Sequence, residues 1–273
     1  SFPDHASSRP TVAEVNLAAL RHNVAQVQSL VGEKQIMGIV KANAYGHGLI
    51  RVAHELVACG VHQLGVAFVE EGIVLRQSGI RVPILVLGGI IGDQLAQFIE
   101  HDLTITASSI FKLDLIEDAA RSLQKRAKIH VKIDTGMERL GVHHYSCDEL
   151  LEAVTRSEWC DLCGVFSHLS SSEAADKSFT NLQLERFLEA TDWFNQRSLP
   201  MPLRHLANSG GILQHPSTHM DMVRPGIMLY GVYPGDDVKQ TVNLQPVLSF
   251  KTRVVFFKVV KAGAGVAYNG TWT

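Results

Sequence analysis

A lysine closes an apolar run in GIVKANAYGHG, residues 38–48, and a tyrosine and a histidine follow it closely. Lysine is almost never fully buried without a partner, so Lys41 either reaches the surface or does chemistry at the end of a strand. Other apolar runs end in the same polar way: Lys132, Asp134 and Arg139 in and after IHVKID, His168 after CGVFS, Asn208 and Ser209 after LRHLA, and Arg224 after DMV. Brought together, these residues are cationic and hold a single carboxylate, Asp134. Such a set suits an anionic ligand, a phosphate or a carboxylate. It lacks the clustered His, Asp and Glu of a metal centre, so no metal is expected. ANSGG (207–211) offers a hydroxyl and backbone N–H groups at the start of a short helix. RPGI (224–227) places Gly226 where backbone can approach a ligand closely. A lysine, a phosphate cup and an arginine at successive strand ends point to a Schiff-base cofactor site.

The elements that must position these residues alternate. Strand-like runs fall near 36–41, 64–68, 84–87, 103–106, 129–134, 163–168, 203–207 and 221–224. Helix-period segments separate most of them, including IRVAHELVACG, FKLDLIEDAARSLQKR and NLQLERFLEATDWFNQR. Before the first run, Leu17, Leu20, Val24, Val27 and Val31 repeat at helical spacing behind Asn16, a suitable N-cap. Alternating β and α implies parallel strands with crossover helices. Eight units imply a closed (β/α)8 TIM barrel, with an open doubly wound sheet as the alternative. In a barrel the site lies at the C-terminal ends of the strands, where these polar residues fall.

Past residue 244 the helix period stops, and PVLSFKTRVVFFKVVKAGAGVAYNGTWT reads as β-strand punctuated by glycine. About 30 residues of this kind are too few for a core of their own. The expected division is a leader (1–10), an α/β barrel (11–240) and the beginning of a β-rich C-terminal domain (241–273) that continues beyond the chain. The alternating TVAEV (11–15) is free to pair with that last segment.

Bulk properties narrow the partners. With 273 residues, 46% hydrophobic, and a net charge of −2, the chain shows neither the basic balance of a nucleic-acid binder nor a bilayer-length apolar run. The first residues, SFPDHASSRP, lack the features of a secretory signal. The four cysteines, Cys59, Cys147, Cys160 and Cys163, include one CDLC pair but no second pair to complete a zinc set. Reduced thiols in a cytoplasmic protein fit this pattern.

VKANAYGHG closely resembles the cofactor-attachment motif of alanine racemases, the fold-type III, barrel-based pyridoxal 5'-phosphate enzymes. The resemblance continues through VKIDTGMERLGV (131–142), FSHLSSS (166–172), LRHLANSGG (203–211), MVRPGIMLYG (222–231) and VAYNGTW (266–272). It implies that Lys41 holds the cofactor covalently and is the base acting on D-alanine. It implies that Tyr45, Asn208, Ser209, Gly226 and Ile227 hold the phosphate, and that Arg139 meets the substrate carboxylate. Arg224 would face the pyridine nitrogen, supported by His168. Because arginine does not give up its proton, that nitrogen would stay unprotonated, which favours racemisation over transamination or decarboxylation. Tyr268 would be the base acting on L-alanine, reaching the site from the other subunit of a homodimer. Lys132 shares a strand face with His130 and Asp134 by period-2 alternation. Two readings stand for it: a carbamate that holds Arg139, as the family implies, or an ammonium paired with Asp134.

Two departures from the family pattern are Glu138, where a small or neutral residue is common, and Asn269 after the tyrosine. His47, His143, His144 and the GGIIG loop (88–92) receive no catalytic role. The function implied is racemisation of alanine, supplying D-alanine for peptidoglycan, with this chain expected to be poorly active without the rest of its C-terminal domain. The alternatives are a racemase of serine or of broader range, and a non-catalytic pyridoxal-phosphate homeostasis protein. Arg224 argues against a decarboxylase.

Overall fold

The computed structural model describes residues 10–91 and 94–273, so residues 1–9 of the leader and the end of the GGIIG loop lie outside it. Two compact units divide the chain, Asn16–Val247 and a smaller one made of the N-terminal residues with Leu248–Thr273.

The larger unit is built on eight parallel strands: β2 (Gln35–Ile39), β3 (Gln63–Val66), β4 (Ile84–Val86), β5 (Ile105–Ala107), β6 (Ala127–Asp134), β8 (Cys160–Phe166), β9 (Leu203–His205) and β10 (Met222–Val223). Their order is β4-β3-β2-β10-β9-β8-β6-β5, with the short β7 (Val142–His143) added to β6. The two ends meet: Val86 N donates to Thr104 O at 3.0 Å and Thr104 N to Ile84 O at 2.8 Å, beside a parallel bridge from Leu85 to Thr104. The sheet therefore closes into the expected barrel. Each of the eight barrel strands overlaps one of the eight apolar runs, while β7 lies outside them.

Sequence periodicity accounts for the outer layer. α1 (Leu17–Val31) buries Leu20, Val24, Val27 and Val31, and Asn16 Oδ1 caps it by accepting from Ala19 N at 3.1 Å. Such a cap contributes about 1 kcal/mol. α3 (Leu49–Ala58) presents Leu49, Val52, Ala53 and Leu56 inward. Met37, Ile39, Leu85, Phe166 and Met222 fill the barrel interior. Each fully buried side chain of this size contributes about 1.5–3 kcal/mol. Asn23, also buried, ties α1 to the chain's return: its Nδ2 donates to Leu229 O at 3.0 Å and Gln245 O at 2.8 Å, and its Oδ1 accepts from Gln245 N.

In the smaller unit β1 (Val12–Val15) pairs antiparallel with β11 (Leu248–Lys251), in register from Val12↔Lys251 to Val15↔Leu248. The long β reading of 244–273 is corrected here. Beyond Lys251 the described residues form only an isolated bridge, Val266↔Trp272, and a short 3-10 turn at Tyr268–Gly270. A strand needs a partner for its N–H and C=O groups, and β1 supplies one for four residues only. Val254, Val255, Phe256, Phe257 and Val259 are accordingly exposed despite their strong β preference.

Candidate active site

The residue after Val40 begins an unusual piece of backbone. Ala42, Asn43, Ala44 and Tyr45 all have φ between 53° and 56°, so α2 (Lys41–Tyr45) is a left-handed turn. L-residues pay about 1–2 kcal/mol each for this hand, and strain of this kind concentrates at functional sites. Local hydrogen bonds hold it: Ala44 N donates to Val40 O at 2.8 Å and Gly46 N to Ala42 O at 3.0 Å. His47 Nδ1 lies 3.0 Å from both Ala44 O and Tyr45 O, and Asn43 Oδ1 accepts from Leu49 N at 2.8 Å. His47 and Asn43 thus serve the turn, a role that sequence reasoning did not give them.

The turn opens into a cavity of about 420 Å³ at the C-terminal end of the barrel. Its polar lining comprises Lys41, Tyr45, Lys132, Arg139, His168, Asn208 and Arg224, all contributed by the larger unit. Ile39, Leu87 and Phe166 form apolar walls, and Gly88 and Gly89 complete them. These two glycines open the GGIIG loop, which the sequence marked only as a turn without a catalytic role. A Cβ on Gly88 would lie 2.3 Å from Ala67 O, so glycine is required there for the loop to pack.

Several of the expected phosphate-binding residues meet on one side. Ser209 opens the short α9 (Ser209–Gln214), and its Oγ accepts from Gly226 N at 3.0 Å and Met228 N at 3.4 Å. Asn208 caps α9 through Gly211 N at 3.0 Å and accepts from Ser172 Oγ at 2.7 Å. A Cβ on Gly226 would sit 2.7 Å from Tyr45 Oη. Only glycine lets the Tyr45 hydroxyl come this close to the Gly226–Ile227 backbone. Tyr230, also missed, supports Tyr45: the ring centroids are 4.9 Å apart and Tyr230 Oη donates to Ile39 O at 2.9 Å.

Arg224 is buried, yet among the described residues no carboxylate meets it. Its guanidinium donates to Ser167 O at 2.6 Å, His205 O at 2.8 Å and Leu206 O at 3.1 Å. It also reaches His205 Nδ1 at 3.0 Å and His168 Nδ1 at 3.3 Å. Arginine can only donate, so both Nδ1 atoms are acceptors and the two rings carry their proton on Nε2. His205 Nε2 then donates to His130 Nδ1 at 2.8 Å. His205 was absent from the expected set, because a histidine inside an apolar strand looks like ordinary core.

Burial, followed by the charge of Arg224, keeps all three histidines neutral: His130 is lowered to about 3, and His168 and His205 well below the usual 6.5. Each would take up a proton near 6.5 once unfolded, so the unfolded chain binds more protons below that pH and stability falls as pH falls. Linkage gives about 1.4 kcal/mol per pH unit for each such group. We expect urea midpoints to drop steeply below pH 6. In His130→Asn, which keeps an acceptor for His205, the dependence should weaken by about one proton. An unchanged slope would contradict a neutral His130.

Lys132 lies 4.4 Å above the Phe166 ring, and burial with the charges of Arg224 and Arg139 lowers it to about 7. The pairing with Asp134 is not what the fold makes. Asp134 Oδ1 accepts from the N–H groups of Gly136 (2.8 Å), Met137 (2.9 Å) and Glu138 (3.2 Å), while Oδ2 accepts from Arg139 (3.1 Å). These four bonds turn the chain so that Arg139 enters the cavity lining. Glu138 points away, with its side chain 67% exposed and 3.7 Å from His143 Nδ1. Lys41 is lowered below the usual lysine range by burial and then by Arg139, with Glu71 opposing. Tyr268, in the smaller unit, is 95% exposed, and Asn269 after it adopts φ 61°.

Residues 15–234 match the family described as "Alanine racemase, N-terminal domain". Alanine racemase 2 of Caldanaerobacter subterraneus subsp. tengcongensis is 41% identical over 266 residues, covering 97% of this chain and 69% of that protein. The alanine racemase of Syntrophobacter fumaroxidans is 42% identical over 260 residues, 95% of this chain and 69% of its own length. Among solved structures, alanine racemase from Clostridium difficile 630 superposes with a TM-score of 0.91 at 36% identity, covering 97% of this chain and 70% of that one.

Proposed function

The chain belongs to the alanine racemase family, whose members interconvert the enantiomers of alanine, and from that membership we propose how its own residues carry the reaction. The observation that carries the proposal is the convergence of Lys41, Tyr45, Arg139 and Arg224 on one cavity.

The donor set fits pyridoxal 5'-phosphate. Gly226 leaves room beside the Tyr45 hydroxyl, where an added Cβ would lie 2.7 Å away. Ser209, Asn208 and the Gly226–Ile227 backbone complete a phosphate cup on that side. Bound there, the cofactor would supply an electron sink for the bond to the substrate's α-hydrogen. Lys41 holds it and serves as base toward D-alanine. Its lowered proton affinity leaves more neutral amine at physiological pH than an ordinary lysine has. Arg139 binds the substrate carboxylate. Arg224, held by three carbonyls and two histidines, keeps a proton off the ring nitrogen. Tyr268 serves as base toward L-alanine from a second subunit, so the working form is a homodimer. Cytoplasmic supply of D-alanine for peptidoglycan is the role that accompanies this activity. No helix among the described residues is long and apolar enough to cross a membrane.

The cofactor-homeostasis alternative has little left to support it, since relatives named racemases align with 95–97% of the chain. A wider substrate range keeps one observation in its favour. A histidine racemase from Leuconostoc mesenteroides shares the fold at a TM-score of 0.88 and 25% identity, covering 98% of this chain and 72% of that one.

The test is interconversion of L- and D-alanine that depends on added pyridoxal 5'-phosphate, compared with the same assay on serine and histidine. Arg224→Glu should lower racemisation at least about a hundredfold, or about 2.7 kcal/mol. It should also release pyruvate from alanine by transamination. Melting will fall as well, because three carbonyls lose their donor. Racemisation at the wild-type rate would refute the role given to Arg224.

Lys132, close to neutral and beside two arginines, is suited to take up carbon dioxide: the amine nitrogen bonds the carbon and sheds a proton, leaving an anion for Arg139. Intact mass of gently handled protein should show one added carbon dioxide, absent in Lys132→Ala. An unmodified Lys132 in active enzyme would overturn this step.

A further inference from the structure

Four consecutive non-glycine residues at positive φ need something outside the turn to hold them. That support comes from Glu71, in the first turn of α4 (Val69–Gln77). Its Oε1 accepts from Ala42 N at 2.6 Å and from Asn43 N at 3.4 Å. Its Oε2 accepts from Ala67 N at 2.8 Å and from Phe68 N at 3.3 Å. One carboxylate therefore collects N–H groups from the chain just after β2 and just after β3. Among the described residues no ion pair occupies Glu71, so its acceptor capacity goes to backbone. We propose that Glu71 is the positioning residue of the active-site lysine: it fixes the left-handed turn and so aims Lys41 and Tyr45 into the cavity.

The chemistry asks for a carboxylate in particular. Both oxygens receive N–H donors, and hydrogen bonds to an ionised acceptor are roughly twice as strong as neutral ones. In Glu71→Gln one oxygen becomes NH2 and would face donors with a donor. In Glu71→Asp the charge stays but the side chain is one methylene short. A role limited to starting α4 would involve Ala67 and Phe68 alone. The bonds to Ala42 and Asn43 reach a different segment, and they are the ones that bear on Lys41.

The inference rests on the cofactor reading for its consequence but not for its first readout. Hydrogen exchange on the full chain without cofactor should show Ala44 and Gly46, which donate within the turn, losing protection at least about tenfold in Glu71→Gln, with β8 amides unchanged. Glu71→Asp should recover part of that protection. In a titration with pyridoxal 5'-phosphate, Glu71→Gln should bind at least about tenfold more weakly, a factor of the size that one such interaction controls. Unchanged protection at Ala44 and Gly46 would overturn the proposal. So would an equal loss of protection throughout the barrel, which would make Glu71 a stability residue only. If wild type fails to bind the cofactor, the cofactor reading falls, and the exchange result still decides whether Glu71 holds the turn.

Discussion

Lys41→Ala is expected to abolish both alanine racemisation and covalent retention of the cofactor, while the barrel still folds. A base placed at the reacting carbon contributes roughly 10²–10⁴-fold, and Lys41 is assigned attachment as well, so activity should fall beyond that range. Its removal costs the fold little. Lys41 is only partly buried, and among the described residues no ion pair joins it. The rival is Lys132, which lines the same cavity and is itself lowered to about 7. Position separates them. Lys132 is packed on Phe166 inside the barrel, whereas Lys41 begins the turn that ends in Tyr45, beside the proposed phosphate cup. Borohydride treatment of the loaded wild-type protein followed by peptide mapping should place the label on Lys41 and nowhere else. A label on Lys132 would reverse the two lysines' roles.

The parts of this site legible in the sequence are those set by local pattern. Period-2 and period-3.6 runs marked the eight strands and the principal helices, and a polar residue after an apolar run marked Lys41, His168, Asn208 and Arg224. What stayed hidden depends on contacts between distant segments. Glu71 sits in an ordinary helical stretch, and only the fold brings it to Ala42, 29 residues away. His205 is 75 residues from His130, and Tyr230 is 191 residues from Ile39. Hand was also invisible. In KANAY only Asn43 is of a type that enters positive φ readily, while alanine and tyrosine avoid it, and the turn exists because tertiary hydrogen bonds impose it on all four residues. The pairing of Lys132 with Asp134 was a reasonable inference from strand alternation. It gave way because Asp134 ends β6, where backbone N–H groups of the following loop compete for its oxygens.

Tyr268→Phe should separate the two directions of proton transfer. Racemisation needs a base on each face of the α-carbon once that carbon is planar, because a single base returns the proton to the side it left. Lys41 is assigned one face through its hold on the cofactor. Tyr268 is the group proposed for the other face. It is 95% exposed, as a side chain offered to another surface would be. Phenylalanine keeps the ring and removes only the hydroxyl, so assembly and cofactor binding should persist. Racemisation should fall by roughly 10²–10⁴-fold, the span of one acid–base group. Exchange of the α-proton of D-alanine with solvent deuterium should continue near the wild-type rate, because Lys41 alone carries it, whereas exchange from L-alanine should be lost. The measurement is proton NMR of each enantiomer in deuterium oxide, with chiral analysis of the product. Equal loss from both enantiomers would mean that Tyr268 does not define a separate face, and the two-base assignment would fail.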